Sequence, residues 1–250
     1  MSRKSKRKQA HPPSPAQSPL PATPATPAPP ASPISRRGIF IGAAIVLLLA
    51  FVVGTLVYKS EKEQASKQAA TKNGALLASE DSPTLGSAGA RVHIVEFLDP
   101  ACETCAVFYP HVKKLLAENP DRIRLSIRQV PFHQGSEQVV RILEAARGQG
   151  KYWQALEAAF RTQGRWVVNH AVQADQVWPS FEGIGLDLDR IRADMNAPEI
   201  DRRIEKDLAD ARALGVTKTP EYFVNGRPLP SFGLEELKSL VKEELRGAYP

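Results

Sequence analysis

The hydrophobic and polar positions divide the chain into a tail, one long apolar run, a polar segment and a globular region. Residues 38–58, GIFIGAAIVLLLAFVVGTLVY, contain no charged residue. An α-helix of this length rises about 31 Å, close to the hydrocarbon thickness of a bilayer. A cleavable signal has a shorter apolar region, of roughly 7–15 residues. The run therefore predicts a transmembrane signal anchor over residues 38–58.

The segments on either side of this run cannot form a core of their own. Residues 1–37 are basic and rich in proline, and we expect a disordered tail there. Arg36 and Arg37 adjoin the apolar run, and the positive-inside rule keeps this tail in the cytoplasm. Residues 59–82 are rich in Ala, Lys and Gln, which predicts a helical or flexible stalk that holds the following domain off the membrane.

The pattern of a packed domain begins near residue 83 and continues to residue 250. Residues 92–98, VHIVEFL, form a β-branched and aromatic run, which predicts a mostly buried strand. A helix is expected after Cys102. Apolar and polar residues then alternate from Arg122 to Arg128, which predicts a strand with one face in water.

The second half of this domain is predicted to be mainly helical. From about residue 135 to residue 214, charged and apolar residues recur at helical spacing. Residues 221–224, EYFV, then predict a strand, the Asn-Gly pair after them a hairpin turn, and residues 234–245 an amphipathic helix. This order predicts an α/β domain over residues 83–250 with a helical insertion at about 135–214.

The distribution of charge excludes one class of function. The chain has 33 basic and 27 acidic residues, but seven of the basic ones lie before residue 59, where no acidic residue occurs. The globular region is therefore nearly balanced in charge. Proteins that bind nucleic acids use a strongly basic surface to neutralise phosphates, so we expect no nucleic-acid partner.

Cys102 and Cys105 are the only cysteines of the chain. A structural zinc site needs four ligands, and the chain has neither a second cysteine pair nor histidines at ligand-like spacing, so no metal site is expected within one chain. The alternative is that both thiols are buried, pack as small apolar groups and take part in no reaction. A dithiol at a strand-to-helix junction favours redox chemistry, because the helix N-terminus stabilises a thiolate. We expect Cys102 to be the exposed nucleophile and Cys105 the buried thiol that resolves a mixed disulfide.

Five features of the globular region carry a family resemblance. They are the stretch SPTLGSAGARVHIVEF, the CETC motif, Pro110, the passage RQVPFHQGSEQVVRILEAARGQGKYWQAL and the stretch GVTKTPEYFVNG. Together they resemble the DsbA-like thiol:disulfide oxidoreductases, a thioredoxin-fold family with a helical insertion. The combination of CxxC with a downstream Thr-Pro before a strand and an Asn-Gly turn is more specific than CxxC alone.

The resemblance implies roles for further residues. Pro220 would follow a cis peptide bond, and Thr219 before it would face the dithiol, so that backbone beside Cys102 can pair with a substrate peptide. Glu96 matches the buried acidic residue of the family. It would exchange protons with Cys105 when the disulfide forms or is reduced.

The two residues between the cysteines depart from the strongly oxidising members of the family, which carry a histidine there. Glu103 and Thr104 stand in this chain instead. A carboxylate beside Cys102 is expected to raise the pKa of its thiol and to make the disulfide less oxidising. Whether the chain oxidises, isomerises or reduces disulfides stays open.

These observations predict a protein-disulfide oxidoreductase or isomerase, without a cofactor, held in the inner membrane by a single span. Its N-terminus is expected in the cytoplasm and its catalytic domain in the periplasm. The resemblance implies exported protein substrates with thiols or disulfides, and a DsbB-like or DsbD-like membrane redox partner. We expect a monomer, since no separate dimerisation domain is evident. The alternative is a non-catalytic binding module, or a copper- or zinc-handling protein that uses the same thiols.

Overall fold

The computed structural model describes residues 36–250. The predicted disordered tail, apart from its last two positions, lies outside the described residues. The chain forms two compact units that divide after Gly54, within the first helix. Within the described range, one helical stretch, Phe40–Leu77, is long and apolar enough to cross a membrane. Residues 38–58 of the predicted anchor are helical throughout.

The globular unit combines helices with one main sheet and one small hairpin. Its strands are β1 (Thr84–Gly86), β2 (Val92–Leu98), β3 (Ile123–Gln129), β4 (Val167–Val168), β5 (Ala171–Val172), β6 (Glu221–Val224) and β7 (Arg227–Pro228). The helices of the chain are α1 (Arg36–Leu77), α2 (Glu103–Glu118), α3 (Ser136–Gly148), α4 (Tyr152–Trp166), α5 (Ala174–Val177), α6 (Leu188–Asp194), α7 (Pro198–Leu214) and α8 (Leu234–Ala248).

The main sheet has the strand order β1-β3-β2-β6-β7. The central strand β2 pairs in parallel with β3 and antiparallel with β6. Buried residues follow one another along β2 with one interruption, as the near-continuous apolar run predicts for a strand that is covered on both faces. Helices α2 and α8 contact one another and the sheet, and α7 contacts β3. This arrangement is the thioredoxin-like fold that the sequence predicts.

The insertion between β3 and β6 contains a feature that the sequence analysis missed. It is helical from α3 to α7, as predicted, except for the hairpin of β4 and β5. Asn169 and His170 form its two-residue loop with φ values of 51° and 62°. Left-handed conformations at both central positions are typical of type I′ hairpin turns. The strands have two residues each, too few to show a period in the sequence.

The prediction that one face of β3 lies in water is wrong. The side chain of Arg128 is fully buried, and its guanidinium forms ion pairs with Asp207 and Asp210 of α7. The same guanidinium donates to the carbonyl oxygen of Leu76, at the end of α1, over 2.8 Å. Helix α7 and the end of α1 therefore cover the face that the alternating pattern had placed in solvent.

Part of the segment predicted as a stalk, residues 59–82, packs against the globular unit. Residues 59–77 continue helix α1, and the last turns of this helix pack on the globular unit. Leu77 is buried in a cluster with Val95 and Phe223. The side-chain amide of Asn73 lies 3.4 Å from the carbonyl oxygen of Gly226 in the β6–β7 turn. The end of the segment is thus a docked part of the domain.

Candidate active site

Cys102 caps the N-terminus of α2, immediately after the loop that leaves the central strand. Its backbone is extended, with φ −75° and ψ 117°, and its sulfur accepts from the backbone N–H of Cys105 over 3.4 Å. The first N–H groups of a helix have no partner within the helix. The sulfur therefore takes the place of the oxygen that a Ser or Asp cap provides, and it lies at the positive end of the helix dipole.

Cys102 is far less exposed than the sequence analysis expected. Only 5% of the residue is accessible. Its sulfur lies 3.3 Å from the carbonyl oxygen of Thr219, in the loop before β6. The Thr219–Pro220 peptide bond is cis, as the family resemblance implied. The fold brings this loop, which follows the long insertion, against the dithiol and covers it.

The surroundings of Cys102 favour its thiolate form. The hydrogen bond from the Cys105 side chain is the largest cause that lowers the pKa of Cys102, and that pKa is about 6. Burial opposes this effect, while the Thr219 side chain and the backbone N–H groups of Cys105 and Thr104 add to it. A thiolate that accepts several hydrogen bonds is stabilised against its neutral form. Cys102 is therefore largely ionised at neutral pH.

Cys105 has the opposite character. It is completely buried, and both thiols of the pair are free. Burial is the main cause that raises the pKa of Cys105 well above its ordinary value, and its hydrogen bond to Cys102 and the charge of Glu96 add to it. A charged thiolate is costly in an apolar environment. The pair thus holds one reactive thiolate and one protected thiol.

Glu96 lies in the middle of β2 and is completely buried. One carboxyl oxygen accepts from the hydroxyl of Tyr222 over 3.0 Å. Its other oxygen has no hydrogen-bond partner among the described residues. Burial raises the pKa of Glu96 to about 8, against the opposing effect of the Tyr222 hydrogen bond. Glu96 is therefore a mostly protonated acid at neutral pH, with one oxygen unengaged.

Glu103 does not act on Cys102 as the sequence analysis expected. Its side chain is about half exposed, and its carboxylate lies 3.1 Å from Nδ1 of His170. The expected rise in the pKa of Cys102 is not found, because hydrogen bonds lower it instead. Thr104 contributes through its backbone N–H. The carboxylate of Glu103 thus faces the β4–β5 hairpin.

Asp99 is a site residue that the sequence analysis did not identify. Its buried carboxylate accepts from the backbone N–H groups of Ala101 and His133, from Nδ1 of His133 and from the hydroxyl of Ser136, over 2.8 to 3.1 Å. These bonds join the loop before α2 to the start of α3. The signal was present in the sequence, because an Asp-Pro pair directly after a buried strand is typical of a structured turn.

Gln163 is a second residue that the sequence analysis missed. Its side-chain amide donates to the carbonyl oxygens of Pro100 and Cys102 over 2.8 and 3.0 Å. Gln163 lies on helix α4 of the insertion, and its two hydrogen bonds fix the loop that contains Cys102. No pattern in the sequence marks Gln163, since it is separated from Cys102 by 61 positions.

Three potential metal ligands also meet beside the dithiol. Glu103, His133 and His170 each place one ligand atom within 4.8 Å of the others. The sequence analysis expected no metal site within one chain, because the chain has no second cysteine pair and its histidines have no ligand-like spacing. Three separate elements bring them together, namely the first turn of α2, the loop after β3 and the β4–β5 hairpin.

Several known proteins are similar in sequence to parts of this chain. The Na(+)/H(+) antiporter NhaA of Herminiimonas arsenicoxydans is 28% identical over 211 residues, which cover 83% of this chain but 33% of that protein. The chain spans a third or less of the length of the antiporters that it matches. Disulfide bond formation protein D of Bacillus subtilis (strain 168) is 24% identical over 178 residues, which cover 66% of this chain and 78% of that protein.

A solved structure shares the fold of the globular unit. The crystal structure of a thioredoxin-like oxidoreductase from Silicibacter pomeroyi DSS-3 matches with a TM-score of 0.59 and 29% identity, covering 69% of this chain and 96% of that chain. The family model described as Thioredoxin (Thioredoxin_4) matches residues 78–243, more than half of the chain. This protein therefore belongs to the thioredoxin family.

Proposed function

We propose that this chain catalyses thiol–disulfide exchange, with Cys102 as the nucleophile and Cys105 as the resolving thiol. One observation carries the proposal. The Cys102 sulfur lies at the N-terminus of α2, and the loop with the cis peptide bond approaches it to 3.3 Å through the carbonyl oxygen of Thr219. The helix terminus stabilises the attacking thiolate. The loop offers backbone groups beside the sulfur, with which an extended substrate can pair.

In the reducing direction the Cys102 thiolate attacks a substrate disulfide. A Cys102–substrate bond forms, the substrate disulfide breaks, and one substrate sulfur leaves with the electron pair. Cys105 then loses its proton and attacks the Cys102 sulfur, so that the second substrate sulfur leaves and the Cys102–Cys105 disulfide forms. The substrate gains two electrons and the dithiol loses two. The oxidising direction is the reverse of these steps.

Glu96 serves as the proton acceptor for Cys105. A carboxyl group with a pKa of about 8 exists in both protonation states near neutral pH. In its ionised form it takes the proton of Cys105, and in its protonated form it returns one when the disulfide is opened. General acid–base catalysis of this kind works best when the pKa of the group lies near the working pH. Pro220 and Thr219 position the substrate and do not exchange protons.

The surface beside the dithiol supports a protein substrate. Phe232 is exposed and stacks on Phe108 of α2, the helix that Cys102 caps, with ring centroids 5.0 Å apart. Val107, the neighbour of Phe108, is exposed as well, and so is Phe132 in the loop after β3. Exposed apolar side chains that contact other apolar groups mark a binding surface more often than isolated ones do. We infer that this surface holds unfolded segments of exported proteins while their cysteines react.

The N-terminal helix supports a membrane location for the reaction. Residues 38–58 form the proposed single-pass anchor, and residues 1–37 the cytoplasmic tail. The domain of residues 83–250 then lies in the periplasm, joined to the anchor by residues 59–82. A membrane redox partner resets the dithiol after each turnover. A DsbB-like partner accepts two electrons if the chain oxidises substrates, and a DsbD-like partner supplies two if it isomerises or reduces them.

The alternative of a copper- or zinc-handling protein that uses the two thiols has less support. Thiol ligands must lose their protons to bind a metal. The raised pKa and complete burial of Cys105 oppose this.

Trapping of the mixed disulfide tests the proposal. The reduced full-length chain in detergent is mixed with a disulfide-bonded model protein and analysed on non-reducing gels. Cys105→Ala should accumulate a covalent adduct, because nothing resolves it. Cys102→Ser should form no adduct and lose activity by at least a hundredfold. Full exchange activity in Cys102→Ser would exclude the proposed nucleophile.

The reduction potential of the dithiol settles the direction of the reaction. It is measured by equilibration of the full-length chain with glutathione. A value near about −120 mV is that of a strong oxidase, and one of about −200 mV or below is that of an isomerase or reductase. The pKa of Cys102, about 6, lies between those of about 3.5 in DsbA and about 7 in thioredoxin. We therefore expect an intermediate potential.

A further inference from the structure

The side chains of Glu103, His133 and His170 form a cluster at the rim of the dithiol. Each offers a ligand atom within 4.8 Å of the other two. The cluster joins elements that are remote in sequence. Two imidazoles and one carboxylate form a ligand set that proteins use for zinc and for other divalent transition metals. Neither cysteine belongs to this cluster.

His133 is already held in the orientation that a metal ligand requires. Its Nδ1 lies 2.8 Å from the carboxylate of Asp99, which is fully buried. That carboxylate also accepts from the backbone N–H of His133 and from Ser136. A carboxylate that accepts from one ring nitrogen fixes the tautomer and leaves the other nitrogen, Nε2, with its lone pair free. Histidines that bind zinc are supported by a carboxylate in this way.

The sharp turn of the β4–β5 hairpin positions His170, the third member of the cluster. Its φ is 62°, and that of the preceding Asn169 is 51°, so the tip of the hairpin turns sharply. The imidazoles of His133 and His170 lie with their centroids 6.4 Å apart. Nδ1 of His170 is 3.1 Å from the carboxylate of Glu103. The contact between His170 and Glu103 holds these two ligands together.

We propose that Glu103, His133 and His170 form a binding site for a divalent transition metal ion, for which zinc is the test ion. His133 binds through Nε2, His170 through a ring nitrogen and Glu103 through its carboxylate. The exposure of His170 and Glu103 leaves the fourth position of a tetrahedral site open to water. Three protein ligands and one open position are the pattern of zinc sites that exchange a ligand. The proposal does not depend on the exchange activity of the dithiol.

Equilibrium dialysis of the full-length chain in detergent tests the site. The chain is first oxidised, so that its thiols are tied in the disulfide and do not bind metal, and is then dialysed against ZnCl₂. We expect one zinc ion per chain. Removal of one of three ligands in His170→Ala should weaken binding at least tenfold. His111→Ala is the matched control, since His111 is an exposed histidine on α2 outside the cluster and its loss should change nothing.

The outcomes separate this site from binding to the surface in general. Absence of stoichiometric zinc, or equal weakening in His111→Ala and His170→Ala, overturns the proposal. Glu103→Gln, which alters an exposed side chain, provides a second ligand variant with little risk to folding. X-ray absorption of the zinc-loaded reduced chain should show nitrogen and oxygen neighbours at about 2.0–2.1 Å. A sulfur shell at about 2.3 Å would assign the metal to the cysteines instead.

Discussion

The sulfur of Cys102 lies 3.3 Å from the carbonyl oxygen of Thr219, a residue 117 positions later in the chain. Cys102 lies at the start of α2 and Thr219 lies in the loop before β6. Each of these segments adjoins one of two neighbouring strands of the sheet. Because β2 pairs directly with β6, the long insertion between them does not separate the two loops. The reactive sulfur and the proposed substrate-binding backbone are thereby kept in contact.

The hydrogen bond from Cys105 should control the ionisation of Cys102. In the reduced chain, with EDTA present to remove metal ions, the ultraviolet absorption of the thiolate should titrate with a pKa of about 6. Cys105→Ala removes the donor that lowers this pKa most, and the pKa should rise toward its ordinary value of 9.0. Cys105→Ser keeps a donor at the same position and is the control. An equal pKa in both variants would contradict the assigned cause.

Glu96 should accelerate the resolution of the mixed disulfide. Glu96→Gln keeps the size of the side chain and an oxygen for the hydroxyl of Tyr222, but it cannot accept a proton from Cys105. We expect resolution to slow about a hundredfold, the lower range for loss of an acid–base group. Formation of the mixed disulfide by Cys102 should change little. Rapid-quench measurement of both steps distinguishes this role from general damage, which would slow them together.

Tyr222→Phe is the matched control for that experiment. It removes the hydrogen bond of 3.0 Å to Glu96 and leaves the carboxyl group in place. That bond lowers the pKa of Glu96, so resolution should need a higher pH but should remain fast once Glu96 is ionised. If Tyr222→Phe slowed resolution as much as Glu96→Gln does, the hydrogen bond and not the proton acceptor would be the important feature.

The buried carboxyl of Glu96 should also make the stability of the protein depend on pH. Its pKa is raised from 4.5 to about 8 in the folded chain, so the folded state binds a proton more tightly than the unfolded state does. This contribution is fully present below pH 4.5 and is lost as the pH rises through 8. Its magnitude is on the order of 5 kcal/mol. Urea unfolding of the reduced wild type and Glu96→Gln at several pH values measures it.

The comparison between these two chains gives the sign of the effect. Cys102 and the other titrating groups are common to both, so the difference in their free energies of unfolding isolates Glu96. Glu96→Gln should gain stability relative to the wild type as the pH rises from about 4.5 to 8. A difference that stays constant over this range would mean that Glu96 is not desolvated in the folded protein.

The parts of the fold that depend on local pattern could be predicted from the sequence. The run from Val92 to Leu98 is apolar almost throughout, and the structure has a strand with the same limits. The Asn225-Gly226 pair indicates a hairpin turn, and the structure has one between β6 and β7. Such signals lie within a few residues of one another. The dithiol was recognisable for the same reason, since Cys102 caps the helix whose first turn contains Cys105.

The parts that depend on contacts between remote elements could not be predicted. The alternation of polar residues around Arg128 fits a strand with a solvent face, and only the packing of α7 and α1 makes that face internal. The histidines at 133 and 170 likewise lie in two different loops, and their meeting depends on a hairpin of four paired residues. Local periodicity carries no information about which distant element covers a side chain.

Arg128 should therefore be one of the most sensitive positions for stability. Its fully buried guanidinium pairs with Asp207 and Asp210, and Asp207 also accepts from the backbone N–H of Gln129 over 2.7 Å. Arg128→Met preserves the length of the side chain but leaves Asp207 without its cation, whereas Asp210 keeps its ion pair with Lys206. Removal of one partner from a buried ion pair costs about 3–5 kcal/mol. Urea unfolding of the full-length chain measures this loss.

Arg161→Met, at an exposed arginine of α4, is the control and should change stability by less than about 0.5 kcal/mol. Similar losses in both variants would show that the buried pair has no special weight.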